Sequence, residues 1–152
     1  MTLLWRGSRD GFGSSTFHKL CDGKGKTLTV VKTTSGYIIG GYTSVPWSTV
    51  GAYIADSTAF LFTLVNPNNT PLKLPVLPLS LQLATYHNFF YGPTFGGGFD
   101  LYIADSCNLD ARSFAWSLSY KLPNGLSFYA GGDWMLGSSY FQVSEIEVFL
   151  VG

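Results

Sequence analysis

Glycine and proline interrupt this chain so often that long helices and long strands have no room to form. The 152 residues include 18 Gly and 7 Pro, spread along the whole length. Both residue types break regular elements and favour turns. The segments between them are rich in Val, Ile, Thr, Tyr and Phe, which suit a pleated, half-buried surface. This spacing predicts many short strands.

Eight segments have the composition of strands: residues 3–6, 27–33, 37–43, 59–65, 84–87, 99–104, 114–120 and 141–151. In residues 99–104, Phe99, Leu101 and Ile103 alternate with other side chains, which is the period of a strand with one exposed face. Residues 59–65 are apolar on both faces, and this pattern predicts a central strand.

One helix is predicted near the N-terminus. Ser14 or Ser15 can cap its start, and Gly23 can follow its end. Phe17, Leu20 and Cys21 form an apolar stripe at the i, i+3, i+4 spacing of a helix. Many strands with few short helices predict a mostly β (α+β) fold, a sandwich of two antiparallel β-sheets around an aromatic core, in a single domain over residues 1–152.

Composition excludes several classes of protein. Nine basic side chains balance nine acidic ones, whereas a nucleic-acid-binding domain normally has a basic excess. No apolar run approaches the length of a membrane-spanning helix, and Arg6 interrupts any secretory leader. Cys21 and Cys107 are too few for a disulfide scaffold, so we expect free thiols in a cytoplasmic, non-secreted protein.

The known catalytic motifs are absent or incomplete. No serine lies in a G-x-S-x-G motif, and neither His18 nor His87 lies in an H-E-x-x-H motif. Lys24 and Lys26 follow glycines, but the first glycine of a phosphate-binding loop is missing. We therefore expect no enzyme activity, no catalytic residue, no metal and no cofactor.

The last predicted strand places two carboxylates on an apolar face. Glu145 and Glu147 have the same parity as Val143 and Phe149. Either a bulge near Ser144 switches the faces, or one carboxylate is buried and paired with a base such as Arg6 or Arg9. We assign Glu147 a structural role, and loss of a buried partner would cost about 3–5 kcal/mol.

Two loops are candidates for contact with a partner. Residues 92–98 read GPTFGGG, and such a cluster indicates a bulge, a close approach of two backbones, or a binding loop. Residues 71–83 contain six leucines and three prolines, so this segment should lie at a sheet edge or outside the sheets. Alternating leucines would give a continuous apolar ridge, which either covers an open end of the sandwich or forms a partner or self-association surface.

The ordered motifs resemble the TLDc domain family across nearly the whole chain. The matching blocks are LWRGSRDGF at 4–12, FHKLCD at 17–22, KGKTLTVVK at 24–32, GGYT at 40–43 with Trp47, AFLFTL at 59–64, GPTFGGG at 92–98, DLYI at 100–103, and FQV with EIEVF at 141–149.

The resemblance implies an intracellular β-sandwich linked to oxidative-stress resistance, and several members of the family bind the vacuolar proton-pumping ATPase. No agreed catalytic centre is known in it. We therefore expect a protein-interaction module, with a ligand- or carbohydrate-binding sandwich as the alternative. The candidate binding surface is Arg9, Asp10, Leu77, Leu79, Gly96, Gly97 and Gly98.

Overall fold

A computed structural model describes residues 1–122 and 131–152 and shows two antiparallel sheets of six strands each. The first sheet has the order β1-β12-β2-β3-β5-β6 and the second the order β11-β10-β9-β8-β7-β4. The mostly β sandwich predicted from the sequence is confirmed.

The elements are short, as the glycine and proline spacing requires. The strands are β1 (Thr2–Arg6), β2 (Thr27–Thr33), β3 (Ile38–Thr43), β4 (Ala52–Ile54), β5 (Phe60–Val65), β6 (Leu72–Pro75), β7 (Thr85–His87), β8 (Thr94–Phe95), β9 (Leu101–Tyr102), β10 (Ser113–Ala115), β11 (Tyr140–Phe141) and β12 (Val143–Leu150). The helices are α1 (Gly7–Asp10), α2 (Ser14–Cys21), α3 (Gly131–Leu136) and a 3₁₀ helix at Pro78–Leu83. No helix in the described ranges is long and apolar enough to cross a membrane.

Aromatic side chains fill the space between α2 and the sheets. Phe17 lies 5.3 Å from Trp5 and 5.5 Å from Trp47, measured between ring centroids. Trp47 in turn meets Phe95 edge-on at 5.5 Å. All four rings are buried. They provide the aromatic core expected from the composition, because large rings bury much apolar area and pack well edge to face.

The prediction for the α2 cap is wrong in its acceptor. The helix begins at Ser14, but no side chain of its own first turn caps it. Instead the carboxylate of Asp105, from the loop after β9, accepts the Ser14 N–H at 2.7 Å. A distant carboxylate thus satisfies one of the free amides at the helix start, which local sequence could not indicate.

Strand β5 is an interior strand of the first sheet, as predicted for residues 59–65, because it pairs with β3 on one side and with the edge strand β6 on the other. Its burial does not extend to its end, since Leu64 and Val65 are 52% and 43% exposed. Its outward side chain Phe62 is buried, because its ring packs across Gly40 of β3. The glycine thus leaves room for a large apolar side chain on the outer face of the neighbouring strand.

The bulge predicted near Ser144 is present. Pairing of β12 with β2 changes register between Val143 and Glu145. After this change Ile146 and Val148 are buried and the two carboxylates lie outside the core. Glu145 accepts hydrogen bonds from the backbone and hydroxyl of Ser8.

Glu147 pairs with Arg6, which is one of the two bases proposed from the sequence. Its Oε2 accepts from Arg6 Nε at 2.9 Å and Nη2 at 2.7 Å. The pair is not buried, however, since the two side chains are 24% and 43% exposed. The alternative of a buried pair is therefore wrong, and the cost of about 3–5 kcal/mol that depends on burial is not expected at this position.

We expect Glu147→Ala to lower the free energy of unfolding by about 1 kcal/mol or less, because solvent weakens exposed ion pairs. Urea unfolding followed by fluorescence measures this difference. Arg6→Gln is the matched variant from the other side of the pair and should give a similar loss. A loss above about 3 kcal/mol would show that the pair behaves as buried.

Candidate functional site

The glycine loop at Gly96–Gly98 is shaped by close contacts. Gly96 and Gly98 have φ of +91° and +75°, in the region that favours glycine. A Cβ on Gly96 would lie 2.7 Å from the Asp100 Cγ, and a Cβ on Gly97 would lie 2.6 Å from a methyl of Leu83. The same Cβ on Gly96 would lie 2.8 Å from the Asp100 backbone nitrogen, and one on Gly92 would lie 3.0 Å from the Ile103 carbonyl oxygen. The close approach of backbones predicted from GPTFGGG is confirmed at these two glycines, whereas Gly97 faces a side chain.

The Asp100 carboxylate connects this loop to residues 118–120. Its carboxylate is fully buried and accepts backbone N–H bonds from Leu118, Ser119 and Tyr120 at 2.7–3.0 Å. Burial raises the pKa of the Asp100 carboxyl to about 7, and the hydrogen bonds from the amides oppose this shift. Asp100 was not among the candidate residues predicted from the sequence. The signal in the sequence is an acidic residue two positions after the glycine cluster, inside the predicted strand 99–104.

The leucine-rich segment is divided between core and surface. Leu74 is buried in the core, and Leu77 is half-buried with its N–H bonded to the Ser119 carbonyl at 2.8 Å. Leu79 is 100% exposed. The predicted continuous ridge is wrong, because the chain turns at Pro78 into a 3₁₀ helix and the alternation of the extended segment ends there. The predicted edge position is confirmed by β6.

The structure brings the leucines and the glycine loop together. Gly97 N–H donates to Ser119 Oγ at 2.9 Å, and Ser119 also accepts from Leu77 through its carbonyl. Leu79, Leu83 and Leu118 are all exposed, and the last two touch or approach the loop. We call Leu79, Leu83 and Leu118 the leucine rim.

Arg9 and Asp10 lie apart from the leucine rim on the short helix α1. Their side chains bond to each other at 2.8 and 2.9 Å, and Asp10 also accepts the Arg6 N–H at 3.0 Å. The Arg9 guanidinium beside Asp10 lowers the pKa of that carboxyl. In the described part of the chain no hydrogen bond links this pair to the glycine loop, so the structure does not unite the seven candidate residues into one surface.

The cysteine and histidine side chains occupy structural positions. Burial raises the pKa of both the Cys21 and Cys107 thiols to about 12, which suppresses the reactive thiolate. His87 is buried between the hydroxyls of Ser48 and Thr85, each 2.9 Å from a ring nitrogen. Burial lowers the pKa of His87 to about 4, and nearby His18 adds to this effect.

His18 is also fully engaged. Its Nδ1 lies 2.8 Å from the Asp22 carboxylate, and its Nε2 lies 2.7 Å from the Asn88 carbonyl oxygen. Among residues 1–122 and 131–152, no group of three or more His, Cys, Asp or Glu side chains has the geometry of a metal site.

Comparison with known proteins identifies the family. A model of the TLDc domain matches residues 1–152. A 44-residue segment is 41% identical to MTOR-associated protein MEAK7 of Danio rerio, and the match covers 29% of this chain and 10% of that relative. The chain thus corresponds to a small part of that relative. With the sandwich and the ordered motifs described above, the whole-chain match shows that the chain belongs to the TLDc domain family.

Proposed function

We propose that this TLDc domain acts as a protein-interaction module without catalysis, and that the leucine rim contacts the partner. The observation that carries the proposal is the exposure of Leu83 and Leu118 against the glycine loop, with the fully exposed Leu79 on the same 3₁₀ helix as Leu83. Grouped exposed leucines on a surface commonly mark an interaction site. The glycine loop beneath them is held by the buried Asp100, so the leucines project from a rigid base.

We propose the partner from family membership. TLDc proteins are linked to oxidative-stress resistance and to the vacuolar proton-pumping ATPase, and we propose both links for this chain, together with a cytoplasmic location. The relative from Danio rerio is named for association with MTOR, which is consistent with action through protein contacts. The two buried thiols with pKa near 12 support a role other than thiol catalysis.

We expect Leu79→Ser to weaken capture of the partner at least tenfold without lowering the melting temperature, because a fully exposed side chain contributes little to packing. The measurement is affinity capture from the source cell, with mass spectrometry for subunits of the vacuolar ATPase. Leu64→Ser is a matched control, since Leu64 is also exposed but lies on β5. Equal capture by wild type and Leu79→Ser would overturn the proposed surface.

Two further measurements test self-association and ligand binding. Light scattering that shows a smaller oligomer for Leu79→Ser would assign the leucine rim to contact between copies of this chain. A thermal-shift screen of glycans that raises the melting temperature would favour the carbohydrate-binding alternative. The leucine rim is the wrong chemistry for sugar, which requires exposed aromatic faces or polar groups.

A further inference from the structure

Two exposed phenylalanines lie in a tight turn at residues 88–91, between β7 and β8. Phe89 is 46% exposed and Phe90 is 71% exposed. The Tyr91 N–H donates to the Asn88 backbone carbonyl at 3.1 Å, and the Phe90 N–H donates to the Asn88 Oδ1 at 2.9 Å. Asn88 thus closes the turn with both its backbone and its side chain, as in an Asx turn. We call residues 88–91 the phenylalanine turn.

Helix α2 holds this turn through a buried histidine. The His18 Nε2 lies 2.7 Å from the Asn88 carbonyl oxygen and 3.0 Å from the Tyr91 carbonyl oxygen, so it donates to both ends of the turn. The His18 side chain is 4% exposed, and the Phe89 ring stacks on it at 6.1 Å between centroids. The fold therefore uses a buried polar side chain to present two apolar rings to solvent.

A third apolar side chain lies at the same end of the second sheet. The Gly51 N–H donates to the carbonyl of His87, directly before the turn, at 2.8 Å. Val50 precedes that glycine and is 63% exposed. Large apolar side chains usually lie inside a protein, and a group of exposed ones indicates a binding surface.

Three exposed lysines lie on the segments that border the phenylalanine turn. Lys19 follows His18 on α2, and Lys24 and Lys26 lie between α2 and β2. None of the three forms an ion pair with another residue of the ranges 1–122 and 131–152. Their charges are therefore available to a ligand.

Contacts of Trp47 place Lys24 and Lys26 at the same end of the sandwich as the turn. The Gly23 N–H donates to the Trp47 carbonyl at 3.0 Å, and the Trp47 ring lies 4.9 Å from the His87 ring. His87 directly precedes the phenylalanine turn. We call the set of lysines and exposed apolar side chains the basic end, and its members are Lys19, Lys24, Lys26, Val50, Phe89 and Phe90.

Acidic side chains near the basic end are already bonded within the domain. Asp22 bonds to His18 at 2.8 Å, and Asp56 is buried among hydroxyl and amide donors. The exposed Asp105 accepts from Ser14, at the other end of α2 and about 10 Å away along the helix axis. The unpaired charge at the surface of the basic end is therefore positive.

The small apolar area of the basic end fits a lipid surface better than a second copy of this chain. At roughly 200 Å² for a whole Phe side chain, the two rings together expose on the order of 230 Å². Each subunit of a stable dimer buries about 800 Å². Apolar side chains beside lysines match an anionic bilayer, since the rings enter the headgroup region and the lysines attract the anionic headgroups.

We infer that the basic end docks this domain on an anionic membrane surface, with Phe89 and Phe90 inserted at the level of the lipid headgroups. The inference goes beyond the proposed contact with a protein partner. The 3₁₀ helix of the leucine rim precedes β7, whereas the phenylalanine turn follows β7. The two surfaces thus lie at opposite ends of this strand and do not compete.

The test is sedimentation of the purified domain with vesicles of phosphatidylcholine that contain about 30% phosphatidylserine. We expect binding that weakens at least tenfold between about 0.05 and 0.5 M salt, because salt screens the lysines. Vesicles of phosphatidylcholine alone should not bind the domain. Phe90→Ser should weaken binding at least fivefold without lowering the melting temperature, because the ring is mostly exposed. Lys24→Gln should weaken binding about fivefold.

Leu64→Ser and Lys32→Gln are the matched controls for the apolar and the charged variant. Both side chains are exposed. Leu64 and Lys32 lie near the C-terminal ends of β5 and β2, whereas the basic end adjoins the start of β2. Both variants should bind the vesicles as wild type does.

The inference is overturned if vesicles with phosphatidylserine do not bind the domain, if Phe90→Ser binds them like wild type, or if Lys32→Gln weakens binding as much as Lys24→Gln. Binding of decaglutamate without binding of vesicles would instead assign the lysines to an acidic protein segment. A smaller oligomer of Phe90→Ser in light scattering, again without vesicle binding, would assign the rings to contact between copies of this chain.

The two proposals are tested by separate variants. Leu79→Ser should bind vesicles like wild type, because Leu79 lies outside the basic end. Loss of partner capture by Leu79→Ser without any vesicle binding would keep the interaction function and remove the membrane surface. Vesicle binding that depends on Phe90, together with capture that Leu79→Ser does not affect, would keep the membrane surface and remove the leucine rim.

Discussion

Asp100→Ala is expected to lower the free energy of unfolding by about 3–5 kcal/mol, since it leaves three N–H groups, two of them on buried residues, without an acceptor. The donors are the amides of Leu118, Ser119 and Tyr120, and the carboxylate that they contact is fully buried. Each buried orphan donor costs about 1–3 kcal/mol. Urea unfolding at fixed pH measures the loss.

The loss should be larger at pH 5 than at pH 8. Burial raises the pKa of the folded-state carboxyl to about 7, whereas an unfolded aspartate titrates near 3.9. A raised pKa means that the stabilising contribution is complete below about pH 4 and declines as pH rises through about 7. The alanine variant lacks this group, so its stability does not show that decline.

Asp110→Ala is the control, because Asp110 pairs with an Arg112 side chain that is 84% exposed. This variant should unfold close to wild type at both pH values. If Asp100→Ala lowered the free energy of unfolding as little as Asp110→Ala does, the three amides would have other acceptors. The rigid base proposed for the leucine rim would then not depend on Asp100.

The same carboxylate explains two boundaries that the sequence predicted wrongly. Residues 99–104 alternate like a strand, but only Leu101–Tyr102 pairs, because Phe99 has a positive φ and Asp100 turns inward. Residues 114–120 were expected to continue as a strand, but pairing ends at Ala115. Beyond it the chain wraps the amides of residues 118–120 around the Asp100 carboxylate.

Elements defined by local pattern were predicted well. Thr27–Thr33 has the predicted bounds, and α2 buries Phe17 and Cys21 as its apolar stripe requires. The glycine loop was found through composition, because three successive glycines indicate a bulge, a close approach of two backbones or a binding loop. The leucine rim needed tertiary information, since Leu83 meets Gly97 and Leu118 meets Gly98 only after residues distant in sequence have packed.

The row of rings on the outer face of the second sheet could not be predicted from the sequence either. The high aromatic content of the chain was evident, yet the order of the strands decides which rings share a face. Tyr53 and Tyr86 become neighbours only because β4 pairs with β7 across the chain segment that forms β5 and β6 in the other sheet. Periodicity assigns a residue to a side of its own strand, and long-range pairing assigns its neighbours.

The glycine pair of β3 is expected to be as sensitive as Asp100. We predict that Gly40→Ala lowers the free energy of unfolding by about 3 kcal/mol or more, through overpacking. A Cβ at Gly40 would overlap the backbone carbonyl oxygen of Thr29 and lie 2.8 Å from the Phe62 Cε1. The Phe62 ring can rotate, but the Thr29 carbonyl belongs to β2 and moves only if the strands separate.

Gly13→Ala is the matched control for this prediction. Gly13 has φ of −75°, and the nearest atoms to a Cβ there are 3.7 Å away. Thermal unfolding should separate the two variants by about 10 °C, at roughly 2–4 °C per kcal/mol for a chain of this size. If Gly40→Ala and Gly13→Ala have the same melting temperature, the contact between β2 and β3 is looser than the structure shows.

The physical role of the pair lies in how the two sheets meet. Gly40 leaves space on the outer face for Phe62, and Gly41 leaves space on the inner face, where a Cβ would lie 2.6 Å from the Phe95 ring. Phe95 belongs to β8 of the second sheet, directly before the glycine loop. The absence of a side chain at Gly41 therefore sets how closely β8 approaches the first sheet. Gly40→Ala should thus leave the Phe95 contact intact, and any loss of partner binding by that variant should track its loss of folded protein.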